Sequence, residues 1–151
     1  MVTPHEMSVS AVGTVFDPIR PDYADFSIDV GDSFNWPGIL SNLEIKIGKQ
    51  VAFYAFRSEL KPDADPAVLA ALDEKALIAA ENANGFIYYQ PLNRLSFCLW
   101  ESTLDAKVAT SSPEHREAAK YVDKAYKRWE LVRRMVARTA VNQVEFTEVV
   151  K

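Results

Sequence analysis

NGFIYYQPLNRLSFCLWESTLDAKVATSSPEHREAAKYVDKAYKRWELVRRMV, residues 84–136, is the stretch that decides the fold. Asn84-Gly85 offers a left-handed position, Phe86 to Tyr89 is an apolar, aromatic strand, and Pro91 to Arg94 makes the turn of a hairpin. Leu95 to Trp100 returns antiparallel, with Leu95, Phe97 and Leu99 on one face and Ser96, Cys98 and Trp100 on the other. Ser102 caps a helix from Thr103 to Thr110, and Ser112-Pro113 starts another with cap and proline in their favoured order. Ala118, Val122, Ala125, Tyr126 and Trp129 then share a helical face, so this second helix is expected to continue to Trp129. From Glu130 the pattern changes, and Leu131, Val132, Met135 and Val136 predict a closing strand.

Upstream, Val51 to Arg57 is short and aromatic enough for a central strand, and Asp65-Pro66 caps a helix with Val68, Leu69, Leu72, Ala76, Ala79, Ala80 and Ala83 on its narrow apolar face. The order is therefore β-α-β-β-α-β, a ferredoxin-like α+β fold with an antiparallel sheet and its helices on one face. Such a half-open sheet needs a partner or a ligand on its bare face. Residues 1–45 hold four of the eight prolines and read as an extended arm packed on a domain of residues 46–151. Within the arm, Val9, Ala11, Gly13 and Val15 alternate as one short strand and Phe26, Ile28 and Val30 as another. Asp32 to Pro37 is expected to turn, Ile39 to Leu43 to make a helical turn, and Val141 to Val150 to add a last strand.

The 151 residues suffice for one core, and 48% apolar with 25% charged residues is the composition of an ordinary globular protein. A formal charge of −4 provides no broad positive field for nucleic acid. The local exception is Lys124, Lys127, Arg128, Arg133, Arg134 and Arg138, read as the solvated end of the last helix. The single cysteine, Cys98, lies in an apolar strand as a buried, inert thiol and points to a reducing, cytoplasmic setting. No apolar run has the length of a membrane span, and none near the start resembles a secretory signal.

No glycine-rich phosphate loop, nucleophile elbow or Cys/His cluster is present, and His5 and His115 are the only histidines, so neither a metal nor another cofactor is expected. Glu59, Asp63 and Asp65 are close in sequence but fit caps and turns. His115 is the candidate acid-base group, because imidazole exchanges a proton near neutrality. Tyr89 and Tyr121 complete the candidate catalytic set. Trp36, Tyr54, Phe56, Phe97 and Trp100 are candidate walls of an apolar pocket, with Arg57 and Glu101 at its rim. Arg57 would grip an anionic group.

Leu99-Trp100-Glu101-Ser102 followed by Ser111-Ser112-Pro113-Glu114-His115 resembles the strand-to-helix passage of dimeric α+β barrel proteins of the antibiotic-biosynthesis-monooxygenase type. Phe34-Asn35-Trp36, Phe56-Arg57-Ser58, Asp63-Ala64-Asp65 and Pro113-Glu114-His115-Arg116 resemble a further family of fungal and bacterial proteins, over residues 34–136, from which no activity carries over. The broader resemblance implies a homodimer pairing its sheets, and ligands held between sheet and helices. Its members include cofactor-free monooxygenases, cyclases, isomerases and haem-degrading enzymes, and a helix histidine serves as base in the cyclases. The function expected is metal-free acid-base chemistry on a small organic molecule; the alternative is a non-catalytic module that binds a ligand or a protein through the same aromatic face.

Overall fold

The computed structural model describes residues 15–149, so Val9, Ala11 and Gly13 lie outside the described residues. Five strands form one antiparallel sheet: β1 (Gln50–Leu60), β2 (Phe86–Leu92), β3 (Leu95–Trp100), β4 (Tyr126–Ala140) and β5 (Gln143–Glu148), in the order β2-β3-β1-β4-β5. The first four have the ferredoxin-like order, and β5 extends the sheet as a hairpin on β4. The helices are α1 (Trp36–Asn42), α2 (Pro66–Glu81), α3 (Thr103–Thr110), α4 (Pro113–Lys120) and the single turn α5 (Val122–Ala125).

The starts of α2, α3 and α4 follow the residues expected to cap them. The Asp65 carboxylate accepts from the Ala67 and Val68 N–H groups, the Ser102 hydroxyl from Asp105, and the Ser112 hydroxyl from His115. Gly85 holds φ +80 where α2 gives way to β2, and a side chain there would overlap the Asp105 carboxylate. The hairpin is tighter than expected. It turns on Asn93 and Arg94 alone, with Arg94 at φ 66, and Pro91 is tolerated inside β2 because this strand is at the sheet edge.

Two expectations are corrected. The second helix stops at Lys120, and Tyr126 and Trp129 belong to β4. Their helical spacing is overridden because β4 pairs with β1 over the whole length of that strand, a gain that local periodicity does not register. The basic run therefore lies mostly along a strand rather than at a helix end. Phe26, Ile28 and Val30 do not form a strand either: Asp25 accepts from the Ser27 N–H and Asp29 from the Gly31 N–H, so the arm turns and enters a 3-10 turn at Val30–Asp32.

The two faces of the sheet are covered differently. Val51, Phe53, Ala55, Leu95, Phe97, Leu99 and Val136 face the arm, where they bury Val30, Phe34, Trp36, Ile39, Leu40 and Ile45. Trp36 is the hub, with ring centroids 5.0 Å from Phe53 and from Phe97 and 5.6 Å from Phe146, and its indole N–H donates to the Val30 carbonyl at 3.1 Å. The face expected to need a partner is thus covered by the chain itself. Two sheets pair through it only if the arm leaves. The opposite face carries Ala52, Tyr54, Cys98, Trp100 and Met135 beneath Ala80 within α2, Ala83 just after it, and Ala106 and Ala109 of α3.

Candidate functional site

Strand register decides which of the candidate residues meet. Tyr54 stands opposite Cys98 on β3 and Arg133 on β4, and Cys98 stands opposite Tyr89 on β2. Phe56 is opposite Ser96 and Leu131, and Ser58 is opposite Trp129. Directly paired residues share a face, so Tyr54, Phe56, Tyr89, Ser96, Cys98, Trp129, Leu131 and Arg133 all belong to the helix side.

The helices seal only part of that side. Trp100 is buried against Ala106, meets Phe86 edge-to-face at 5.3 Å, and donates from its indole nitrogen to Cys98 Sγ at 3.3 Å. Toward β4 the cover thins: Phe56 stacks on Trp129 at 5.9 Å and meets Tyr126 at 5.4 Å, while Trp129 and Leu131 remain 46% and 41% exposed. The result is a partly open aromatic surface, the helix-side groove, with phenols and one cation, Arg133, which makes no ion pair among the described residues.

Burial pushes the Tyr89 phenol up to about 12, aided by the nearby Asp73 carboxylate, while a hydrogen bond with Ser96 acts in the other direction. Tyr89 is therefore a neutral hydrogen-bond donor at neutral pH. Burial likewise raises Tyr126, again with help from Asp73, and raises Cys98 to about 11, which removes the thiolate that a nucleophile requires. Asp73 is an exposed residue of α2, and the protein packed around its carboxyl shifts it upward by desolvation. Asp73 is thus near enough to Tyr89 and Tyr126 for its charge to raise both phenols.

Sequence reasoning missed Asp73. The signal was present, since Asp73 stands at three-, four- and seven-residue spacing from Ala76, Leu69 and Ala80, beside the apolar stripe of α2. Tyr126 was missed as a site residue because it was assigned to a helix.

The other candidates disperse. His115 is exposed on α4; its backbone N–H donates to Ser112 Oγ, burial by its neighbours lowers its pKa, and a hydrogen bond to the Thr110 backbone opposes that. No hydrogen bond, ion pair or ring contact joins it to Tyr54, Tyr89 or Tyr121. Tyr121 caps the C-terminus of α4. Trp36 and Phe97 are core residues of the arm side, on the opposite face from Tyr54 and Tyr89. Arg57 is also on the arm side and is buried rather than at a rim, whereas Glu101 is exposed and pairs with Lys49 at 2.7 Å. Among the described residues no group of three or more His, Cys, Asp and Glu side chains is placed to hold a metal ion, and no helix is long and apolar enough to cross a membrane.

Comparison with known proteins yields one family, described as PB2B2.08-like, which matches residues 2–148. No functionally curated protein matches the chain. Among solved structures, that of Rv0793 from Mycobacterium tuberculosis is similar with a TM-score of 0.48 and 20% identity, covering 59% of this chain and 94% of that one. SnoaB, a cofactor-independent oxygenase from Streptomyces nogalater, is similar with a TM-score of 0.44 and 13% identity, covering 55% and 90%. PA3566 from Pseudomonas aeruginosa follows at 0.41 and 8%, covering 58% and 94%.

Proposed function

The chain belongs to the PB2B2.08-like family, and within it we propose that this protein binds a small organic molecule in the helix-side groove and moves a proton on it without a cofactor. The observation that carries this is the proximity of Asp73, a carboxyl with a raised pKa, to the neutral phenols of Tyr89 and Tyr126 at the half-covered helix side of the sheet. A carboxylate nearer neutrality in pKa is a better proton acceptor, and a neutral phenol can donate to an oxygen on which charge develops. The proton would leave a carbon next to a carbonyl for Asp73 Oδ, Tyr89 or Tyr126 would hydrogen-bond the enolate oxygen, and Asp73 would return the proton to a different atom. That is the balance of an isomerisation or of the first step of a cyclisation. Phe56 and Trp129 would stack on the substrate body, Tyr54 would orient it, and Arg133 would attract an acidic substituent.

Solvent deuterium uptake into a panel of enolisable aromatic ketones tests the proposal without knowledge of the final product. Asp73→Asn should lower exchange by about 100-fold or more, within the range of general acid-base catalysis. His115→Ala should leave it unchanged. Loss of exchange in His115→Ala with retention in Asp73→Asn would transfer the role to the imidazole. The expected homodimer would use the open helix side or a sheet edge, because the arm covers the other face.

A second reading is favoured by the openness of the groove toward Trp129 and Leu131. Proton transfer to carbon profits from exclusion of water, and an unsealed groove suits a module that holds its ligand unchanged. Quenching of tryptophan fluorescence by ketones that never exchange deuterium would favour that module.

A further inference from the structure

Arg57 carries the strongest signal outside the groove. It lies on the arm side of β1, opposite Leu95 and Glu130, and is 2% exposed. The nearest carboxylate, Glu130 Oε1, is 3.7 Å from Nη1, beyond hydrogen-bond distance, and Glu130 is itself 44% exposed. Nε and Nη2 are buried and meet no acceptor among the described residues. These two N–H groups are parallel on one edge of the guanidinium plane, the spacing that matches the two oxygens of a carboxylate.

Arg134 shows the alternative arrangement within the same sheet. Its Nη1 and Nη2 donate to the two oxygens of Asp29 at 2.7 and 3.1 Å, so that guanidinium is answered by the arm. Arg57 has no such bidentate acceptor: Glu130 and Asp29 are near enough to interact with its charge, but neither takes the N–H groups of the Nε/Nη2 edge, and buried donors left unpaired are unfavourable. A cleft lies beyond it on the same face, two residues along β1. Glu59 and Arg128, the next arm-side pair along β1 and β4, line a space of about 360 Å³ together with Arg94 and the arm residues Pro21, Asp22, Ala24, Asp25 and Phe26. Arg128 lies over the Phe26 ring at 3.9 Å, Asp22 is held by Arg20, and Glu59 by Arg94 and Lys127.

We propose that the buried Nε/Nη2 edge of Arg57 is a binding site for the carboxylate of a small monocarboxylic acid, reached between the arm and the end of the sheet. A carboxylate uses both its oxygens on the fork and carries the one charge that the cation offsets. A phosphate would bring further oxygens and charge into a setting of Leu92, Leu95 and Val132 that cannot answer them. This site is on the opposite face from the groove and stands or falls independently of it.

Thermal unfolding of the full chain, with acetate or butyrate replacing chloride at constant ionic strength, tests the assignment. The melting temperature of the wild type should rise saturably, by about 5–10 °C at a hundredfold excess over Kd. Arg57→Met should show no such rise, nor should Arg57→Lys, which keeps the charge but lacks the fork; the lysine variant decides the matter if the methionine variant does not fold. ¹³C-acetate line broadening by the wild type, absent with Arg57→Lys, should accompany it. An equal response in wild type and Arg57→Lys, or none in either, overturns the proposal, and stabilisation by inorganic phosphate alone overturns the carboxylate assignment.

Discussion

The two faces of the sheet use the same strands for opposite ends. On the arm side, Phe53, Leu99 and Val51 are wholly buried and Trp36 closes a cluster of five aromatic rings with Phe34, Phe53, Phe97 and Phe146. On the helix side, Tyr54, Phe56 and Tyr126 are only half-buried, and the helices contribute alanines where the arm contributes rings. At the centre of the arm side, large apolar side chains from two layers interlock. Small helix residues leave Tyr54 and Tyr126 half-exposed, so their phenols are within reach of a ligand. The arm side is therefore the foundation of stability, and the helix side is where the proposed proton transfer is set.

The largest test of this contrast compares two tryptophans. Trp36→Ala should destabilise the protein by about 3–5 kcal/mol, whereas Trp129→Ala should change stability by less than about 1 kcal/mol. Urea unfolding measures both, and similar losses at the two sites would erase the distinction between the faces. A smaller effect concerns how the arm is fastened. Asp29→Ala removes the bidentate partner of Arg134 and the acceptor of the Gly31 N–H, and should cost about 1–2 kcal/mol in the same assay. Raising the salt concentration should shrink the difference, because Asp29 is partly exposed.

The third effect is the smallest and has the opposite sign. The pKa of Asp73 is raised in the folded chain, so folded protein binds the proton more tightly than unfolded protein does. Stability from this residue is present at acid pH and declines as pH rises from the unfolded carboxylate value of about 3.9 through the raised folded value. Asp73→Asn should thus be more stable than wild type at pH 7 and lose that advantage in acid. Urea midpoints measured from pH 3 to pH 7 report it, and a variant that is less stable at pH 7 would mean that Asp73 makes a favourable contact rather than occupying a strained one.

Local chemistry made much of the fold legible. Asp65-Pro66, Ser102 and Ser112-Pro113 start their helices because a side-chain oxygen answers N–H groups only a few residues away, and alternation in Leu95 to Trp100 correctly separated Phe97 from Trp100. The candidate site was less legible. Tyr54 and Tyr89 do share a face, yet Trp36, Phe97 and Arg57 lie on the other, since a list of aromatic residues does not reveal which side of a sheet each will occupy until register is known. Tyr126 and Trp129 satisfied a helical period by coincidence, and pairing with β1 made them strand.

By itself, then, the sequence determined the order of elements, the caps and the alternation along each strand, all set by interactions within a few residues. Tertiary structure alone decided that the arm would cover the bare face, that β4 would claim Tyr126, and that Asp73 would come near Tyr89 while the Nε/Nη2 edge of Arg57 was buried without an acceptor. Those outcomes depend on contacts between residues distant in sequence, whose energies come from burial and pairing in three dimensions and leave no local periodicity to read.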